Sequence, residues 1–236
     1  MNNEHKIHLL AFGSHPDDVE LSAGGTLIKH KELGYTTGII DLTRGELGTR
    51  GTAETRDKEA AASAKILRLD VRENLHLADG FFEESREALL RVVHAIRKYK
   101  PHTVLTNAIS DRHPDHGAGS RLVTRACFLS GLKKIETDDL QPWRPVHVFH
   151  YIQDNFMKPE FVIDITQWHD KKMEAIAAFK TQFYDPTSQE PETPISTKEF
   201  WDILYGKDLL MGRYIGSKYG EGFLSAQPFE VKDMMK

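Results

Sequence analysis

Near its N-terminus the chain reads Ile7-His8-Leu9-Leu10-Ala11-Phe12-Gly13-Ser14-His15-Pro16-Asp17-Asp18, an apolar, strand-like run that ends in an imidazole and two carboxylates. A second apolar run, residues 104–107, is followed by His113-Pro114-Asp115-His116. Both stretches carry imidazole and carboxylate groups at the spacing of metal ligands. Two histidines and one carboxylate are the ligand set of an open, catalytic zinc ion. We therefore expect one metal site that is divided between the two stretches.

Strand-like and helix-like segments alternate along the chain. Strands are predicted at 7–12, 35–42, 71–77, 102–107, 146–152 and 161–165, and helices at 17–33, 54–68, 84–99, 115–130, 167–180 and 196–212. Such alternation predicts an α/β, Rossmann-like fold with a mostly parallel, twisted sheet that is flanked by helices. We expect a single domain over residues 1–236, with a core of βα units at 1–130 and a C-terminal extension of the same domain at 131–236.

The predicted topology explains how two distant motifs meet. Ligands of an open parallel sheet bind beyond the carboxyl ends of the strands, at the point where the strand order reverses. In the order 3-2-1-4-5, the first and fourth strands are neighbours on either side of that point. The first motif follows strand 1 and the second follows strand 4, so we expect His15 and His116 to converge there.

Bulk composition limits the classes of partner. The 236 residues are 39% hydrophobic and 28% charged, with a formal net charge of −4. Because Lys and Arg are not clustered, we expect a small-molecule substrate and no nucleic-acid or membrane partner. No apolar run approaches the ~20 residues of a membrane span, and the polar segment Met1–Lys6 shows no signal peptide. Cys127 is the only cysteine, which predicts a cytoplasmic protein with a buried, structural thiol.

The predicted metal ligands are His15, Asp18 and His116. His15 lies on the turn after the first strand and Asp18 in the first turn of the next helix, so both side chains can reach one ion. His116 comes from the first turn of the helix after strand 4, which leaves a fourth position for water. Bound zinc lowers the pKa of such a water to roughly 7. The predicted reaction class is metal-assisted amide hydrolysis.

Three further side chains stand beside these ligands. Asp17 is predicted to be the general base that takes the proton of the water. His113 is predicted to stabilise the developing oxyanion or to protonate the leaving group, and Asp115 to fix the tautomer of an imidazole ring. The alternative is that the carboxylates only cap the helices that follow them. Two motifs at corresponding turns of the sheet favour the site over the caps.

The loop after the second strand, residues 41–52, brings glycines and cations to the same edge of the sheet. The cationic candidates for binding a carboxylate or phosphate of the substrate are Arg44, Arg50, Arg56 and Arg112. Among them Arg56 and Arg112 are favoured, and the alternative is a solvated basic loop. We expect Glu46 to hydrogen-bond a sugar hydroxyl or to support the loop. The Pro-rich loop 185–194 is interpreted as a surface connection, with a lid as the alternative.

These residues resemble the LmbE/PIG-L family of zinc-dependent N-acetylglucosamine deacetylases. The matching segments are residues 15–26, 43–51, 54–59, 111–116 and 219–223. The resemblance covers nearly the whole chain. It implies a Rossmann-like sheet and a homo-oligomer. It also implies one zinc ion held by His15, Asp18 and His116, although Fe²⁺, Mn²⁺ or Co²⁺ would suit the same ligands. Asp17 would be the general base and His113 the electrostatic or acid partner.

Within the family, the chain is most similar to the subgroup that removes acetate from N-acetylglucosaminyl malate in bacillithiol biosynthesis. Malate has two carboxylates, which the cationic side chains near the motifs would bind. In the relatives of the mycothiol type, a tyrosine lies two residues before the second motif. This chain has Asp111 there, so oxyanion stabilisation by a tyrosine at that place is not available.

Two alternative functions stay open at this point. One is a related amidase that acts on another N-acyl sugar, a sugar antibiotic or a thiol–sugar conjugate. The other is a non-catalytic module that binds a sugar or nucleotide. The second is disfavoured because a complete set of ligands, acid and base is present and no Gly-x-Gly-x-x-Gly follows the first strand.

Overall fold

One sheet with helices on both faces forms the fold of residues 6–231, 233 and 235, the part of the chain that the computed structural model describes. The strands are β1 (Leu9–Gly13), β2 (Thr37–Asp41), β3 (Val71–Asn74), β4 (Thr103–Thr106), β5 (His147–Tyr151), β6 (Phe161–Asp164) and β7 (Gly220–Ser225). The helices are α1 (Asp18–Glu32), α2 (Ala53–Leu67), α3 (Arg86–Tyr99), α4 (Pro114–Leu129), α5 (His169–Ala177) and α6 (Lys198–Tyr214).

The strands are arranged in the order β3-β2-β1-β4-β5-β7-β6. β1 to β5 pair in parallel, and β7 runs antiparallel between β5 and β6. The predicted α/β fold, its mostly parallel sheet and the strand order 3-2-1-4-5 are therefore confirmed.

The strand β7 was not predicted, because glycine and glutamate are poor strand formers. Its glycines have a packing role instead. A Cβ atom at Gly220 would lie 2.6 Å from Cγ1 of Val162, and one at Gly222 would lie 2.7 Å from Sδ of Met211. At Gly220 backbone atoms of Gly212 and Met211 also lie within 3.0 Å of such a Cβ, so this position requires glycine. At Gly222 the flexible end of the Met211 side chain would have to shift.

β1 is buried along its whole length and fixes the position of the first motif. Leu10 and Phe12 pack into the core on the α3 and α4 face, whereas Leu9 and Ala11 pack into the core on the α1 face. A strand covered on both faces reads as a continuous apolar run, as residues 7–13 do. The chain therefore leaves the sheet for the motif from a rigidly held strand end.

The single cysteine behaves as expected from its apolar neighbours. Cys127 is buried in the core, and burial raises the pKa of its thiol to about 12.

Among the helices of residues 6–231, none is both long and apolar enough to cross a membrane. The polar segment Met1–Lys6 that the sequence singled out lies, except for Lys6, outside the described residues.

Candidate active site

The carboxyl ends of β1 and β4 bring the two histidine motifs into one cavity of about 410 Å³. The ring centroids of His15 and His116 are 5.8 Å apart, and His113 lies 4.7 Å from the first and 5.1 Å from the second. The predicted convergence of the motifs is therefore confirmed. It follows from the parallel pairing of β1 with β4, since both strands then end at the same edge of the sheet.

The carboxylate of Asp18 joins the two motifs. Its Oδ1 lies 3.0 Å from Nε2 of His116, and its Oδ2 lies 3.7 Å from Nδ1 of His15. Asn107, directly after β4, donates its amide to Oδ2 at 3.0 Å, and Gln153, two residues after β5, donates to Oδ1 at 3.1 Å. One carboxylate oriented by two amides thus faces one nitrogen of each imidazole.

The other nitrogens of these imidazoles are held by carboxylates. Nε2 of His15 lies 3.1 Å from Oδ1 of Asp79 and 3.2 Å from Oδ2 of Asp115. Nδ1 of His116 lies 2.5 Å from Oδ2 of Asp111. Carboxylates in this position fix the tautomer and orientation of metal-binding histidines and raise their basicity. Nδ1 of His15 and Nε2 of His116 are therefore the nitrogens that face the shared carboxylate.

The charges around the imidazoles make the cluster attractive to cations. Burial lowers the pKa of His15, but hydrogen bonds to Asp115 and Asp79 outweigh it and raise the pKa to about 10. Burial also lowers the pKa of His116, and the Asp18 carboxylate reverses this and raises the pKa to about 9. A buried cluster with such an excess of negative charge fits a divalent cation. Nitrogen and oxygen donors of this kind suit Zn²⁺, Fe²⁺, Mn²⁺ and Co²⁺.

Two groups of three donors have ligand atoms that all lie within 4.8 Å of one another, and neither group contains Asp18. They are His15, His113 and His116, and His15, Asp79 and Asp115. In the second group both carboxylates also bind backbone N–H groups, those of Leu47 and Gly80. Oδ2 of Asp18 likewise accepts the backbone N–H of His15 at 3.0 Å. Asp18 differs from Asp79 and Asp115 in facing a nitrogen of both imidazoles, so His15, Asp18 and His116 are the candidate ligands.

Asp17 is held in a strained conformation at the start of α1. Its φ of 120° lies in the region that L residues rarely adopt, and its side chain makes no capping hydrogen bond, which argues against a purely capping role. Nη2 of Arg56 donates to Oδ2 of Asp17 at 3.0 Å and also to the carbonyl oxygen of Pro16. Burial raises the pKa of Asp17 to about 7, although the charge of Arg56 opposes the shift. Such a carboxylate is suited to exchange protons near neutral pH.

His113 precedes α4 and presents a hydrogen-bond donor to the cavity. The backbone N–H of Asp115 donates to its Nδ1 at 3.3 Å, so that Nε2 carries the proton in the neutral ring. Burial, and then the charges of His15 and His116, lower the pKa of His113. A neutral imidazole that carries its proton on Nε2 is therefore expected here.

The remaining predicted residues occupy different positions. Arg56 lines the cavity, but its guanidinium is directed to Asp17. Glu46 accepts hydrogen bonds from the backbone N–H groups of Arg44 at 3.1 Å and Asp79 at 3.0 Å, so it supports the loop. Arg112 lines the cavity, and about half of its side chain is exposed. Its Nη2 lies 2.8 Å from Oδ2 of Asp154.

The loop 185–194 does more than connect two helices over the surface. Its Thr193 and Pro194 line the cavity, and its Ser188 accepts a hydrogen bond from Nη2 of Arg50 at 2.6 Å. The loop is mostly exposed, as expected of a surface connection, and its C-terminal end also forms part of the cavity wall.

Several residues at the site were not predicted from the sequence: Asp79, Asn107, Gln153 and Lys207. The first three follow β3, β4 and β5 at the edge of the sheet that carries the motifs, so their position after a strand was a usable signal. Lys207 lies on α6, and nothing in the order of the strands indicates that this helix reaches the cavity.

The chain matches one protein family and is similar to a solved structure. The family described as PIG-L, GlcNAc-PI de-N-acetylase, matches residues 10–127, which include both histidine motifs. The crystal structure of a conserved protein from Thermus thermophilus, TT1542, superposes with a TM-score of 0.87. It is 36% identical in sequence, over 97% of this chain and 98% of the other.

Two curated relatives have different activities. The diacetylchitobiose deacetylase of Thermococcus kodakarensis is 27% identical over 91% of this chain and 81% of its own length. The 4-oxalmesaconate hydratase of Pseudomonas putida is 28% identical over 77% of this chain and 76% of its own length. Similar sequences thus accompany both a deacetylase and a hydratase.

Proposed function

The chain belongs to the family described as PIG-L, GlcNAc-PI de-N-acetylase, and we propose that it is a zinc-dependent hydrolase that removes the acetyl group from an N-acetylated sugar. The observation that carries the proposal is the cluster of His15, Asp18 and His116 with Asp17 and His113 in one cavity. A volume of about 410 Å³ is typical of a small-molecule site and suits a hexose with a substituent.

The side chains of the cluster divide the work of amide hydrolysis. His15, Asp18 and His116 would hold the zinc ion, which when bound supplies a water of lowered pKa and polarises the amide carbonyl. Asp17 accepts the proton of the attacking water, because its Oδ1 is not engaged by Arg56. His113 donates its Nε2–H to the developing oxyanion. Asp17 then passes its proton to the amine nitrogen, so that acetate and the free amine leave.

The proposed substrate is N-acetylglucosaminyl malate, which would make the chain a deacetylase of bacillithiol biosynthesis. Arg50, Arg112 and Lys207 line the cavity. Lys207, which forms no ion pair within the described residues, supports a substrate with a carboxylate. Another N-acyl sugar or thiol–sugar conjugate is the alternative, supported by the relative that is described as a diacetylchitobiose deacetylase.

A hydratase is the second candidate function. It is favoured by the similarity to a 4-oxalmesaconate hydratase and by Lys207, which also suits an unsaturated carboxylic acid. Activation of water by a metal and a base is common to both reactions. They differ in the product, since only amide hydrolysis releases acetate.

The test is acetate release by the purified protein from N-acetylglucosaminyl malate, N-acetylglucosamine and diacetylchitobiose. Each substrate is offered before chelation, after chelation and after the return of zinc. Chelator-sensitive release from the malate conjugate, well above that from the two neutral sugars, supports the full proposal. Loss of 4-oxalmesaconate absorbance without acetate release from any sugar would instead favour the hydratase.

We also propose a homo-oligomer in solution, located in the cytoplasm. α6 leaves apolar side chains exposed, with Ile203 exposed to 64%, Leu209 to 45% and Leu210 to 41%. Exposed apolar surface of this kind is typical of a protein–protein interface. Light scattering coupled to size-exclusion chromatography measures the mass, and a mass of one chain at micromolar concentration would contradict the oligomer.

A further inference from the structure

The cations that line the active-site cavity differ in how they are neutralised. They are Arg50, Arg56, Arg112 and Lys207. Nη2 of Arg56 lies 3.0 Å from Oδ2 of Asp17, and Nη2 of Arg112 lies 2.8 Å from Oδ2 of Asp154. Both guanidinium groups are therefore paired with a carboxylate before any substrate enters.

Arg50 is also compensated. Its Nε lies 3.6 Å from Oε2 of Glu190, and its Nη2 donates to Ser188 at 2.6 Å. Both partners belong to the loop 185–194, and Glu190 also accepts the backbone N–H of Gly51 at 2.8 Å. Arg50 thus holds two loops of the cavity wall together.

Lys207 differs from these three. Its Nζ donates to the carbonyl oxygen of Leu21 at 3.2 Å, and within the described part of the chain it forms no ion pair. An ammonium group has three donors, so most of its hydrogen-bonding capacity is not used by the protein. Burial, and then the charge of Lys172, lower the pKa of Lys207, whereas the carboxylates of Asp208, Asp154 and Glu221, none of them within ion-pair distance, oppose the shift.

The surroundings of Lys207 define what kind of group it would bind. Leu21, Phe200 and Leu204 line the same wall of the cavity and are apolar. An anionic group that enters there would restore the interactions of the ammonium group, and the carbon skeleton that carries it would contact the apolar side chains. Lys207 is half-buried and lines the cavity, so a ligand in the cavity can reach its ammonium group.

We propose that Lys207 is a specificity-determining residue whose ammonium group binds an anionic substituent on the part of the substrate that does not carry the acetyl group. The inference rests on the proposed function, because it assumes that the acetylated nitrogen lies at the cluster of His15, Asp18 and His116. The preferred anion is a carboxylate, and a phosphate shares the same chemistry.

The test compares Lys207→Met, which keeps the length of the side chain and removes its charge, with Lys198→Met, an exposed position on the same helix. The substrates are N-acetylglucosaminyl malate, N-acetylglucosamine 1-phosphate and N-acetylglucosamine. We expect Lys207→Met to reduce the preference for the malate conjugate over the neutral sugar by about 10- to 100-fold, mainly through KM, as for loss of uniform binding. A larger loss with the phosphate would identify that anion as the natural group. An equal loss with charged and neutral substrates would overturn the inference.

Binding measurements separate this inference from the proposed function. Calorimetry gives the Kd of the malate conjugate and of N-acetylglucosamine for the wild type, Lys207→Met, Lys207→Arg and Lys198→Met. If the wild type binds the anionic sugar more tightly, and Lys207→Met but not Lys198→Met removes the difference, the inference holds even without acetate release. If the wild type binds both sugars with equal affinity, the inference about Lys207 is contradicted even where acetate is released. Lys207→Arg keeps the charge and provides a folded comparison should Lys207→Met be unstable, and it should retain the preference.

Discussion

Oδ1 of Asp18 lies 3.0 Å from Nε2 of His116, although the two residues belong to motifs that are far apart in the sequence. The contact exists because β1 and β4 are parallel neighbours that end at the same edge of the sheet. Asn107 and Gln153 hold the same carboxylate from the ends of β4 and β5. The candidate metal site is therefore a product of the strand order, and the sheet holds its side chains in place.

Asp17→Asn tests the general base. The amide keeps the size of the side chain and a partner for Arg56 but cannot accept the proton of the water. We expect kcat to fall about 10²- to 10⁴-fold, as for the loss of a general base, with the metal content unchanged. Initial rates of acetate release and elemental analysis measure the two quantities.

The matched control is Asp57→Asn, an exposed carboxylate on α2 that pairs with Arg44, and it should keep normal activity. Retention of most activity in Asp17→Asn would contradict the assigned role.

Asp111→Asn tests the carboxylates behind the ligands. Asp111 binds Nδ1 of His116 at 2.5 Å, so the variant weakens the hold on that imidazole. We expect the affinity for Zn²⁺ to fall about 10- to 100-fold, the usual effect of losing such a partner. Competition with a chromogenic chelator measures it. Asp70→Asn, at a partly exposed ion pair with Lys31, is the control, and equal affinities in the two variants would count against the orienting role of Asp111.

Removal of the metal is expected to lower stability as well as activity. An ion that binds only the folded chain stabilises it by about 2.7 kcal/mol at a free concentration of 100 times Kd. The carboxylates around His15 and His116 should moreover repel one another more strongly once the ion is removed. Tm should therefore fall on chelation and recover when zinc is returned, whereas an unchanged Tm with full loss of activity would place the ion outside this buried cluster.

Cys127 is expected to be unreactive in the native protein. Its thiol is buried and its pKa is raised to about 12, so almost no thiolate forms at pH 8, and the thiolate is the reactive species. A thiol-specific chromogenic disulfide should therefore titrate one thiol per chain in denaturant and none without it. Rapid reaction of the folded protein would contradict the burial of this residue.

The sequence allowed a correct prediction of the central sheet because buried parallel strands are continuous apolar runs and the alternation of elements restricts their order. The convergence of His15 and His116 followed from that order. β7 was missed because Gly220 is required by close packing against Val162 and the backbone of Gly212 and Met211, which no local pattern encodes.

Side chains that act through another residue were harder to predict. Arg56 was expected to contact substrate, but its guanidinium is directed to Asp17. Asp79 reaches His15 from the loop after β3, and Lys207 reaches the cavity from α6. These contacts depend on how loops and helices pack over the sheet edge, which spacing along the chain does not specify.

Metal content and acetate release, measured on the same samples of wild type and of His116→Gln, test the central claim most directly. The wild type should contain one zinc ion per chain, and its activity on the N-acetylated sugar should rise in proportion to occupancy during titration of the metal-free protein. His116→Gln should lose both. Full acetate release by a metal-free wild type, or by His116→Gln, would contradict the account.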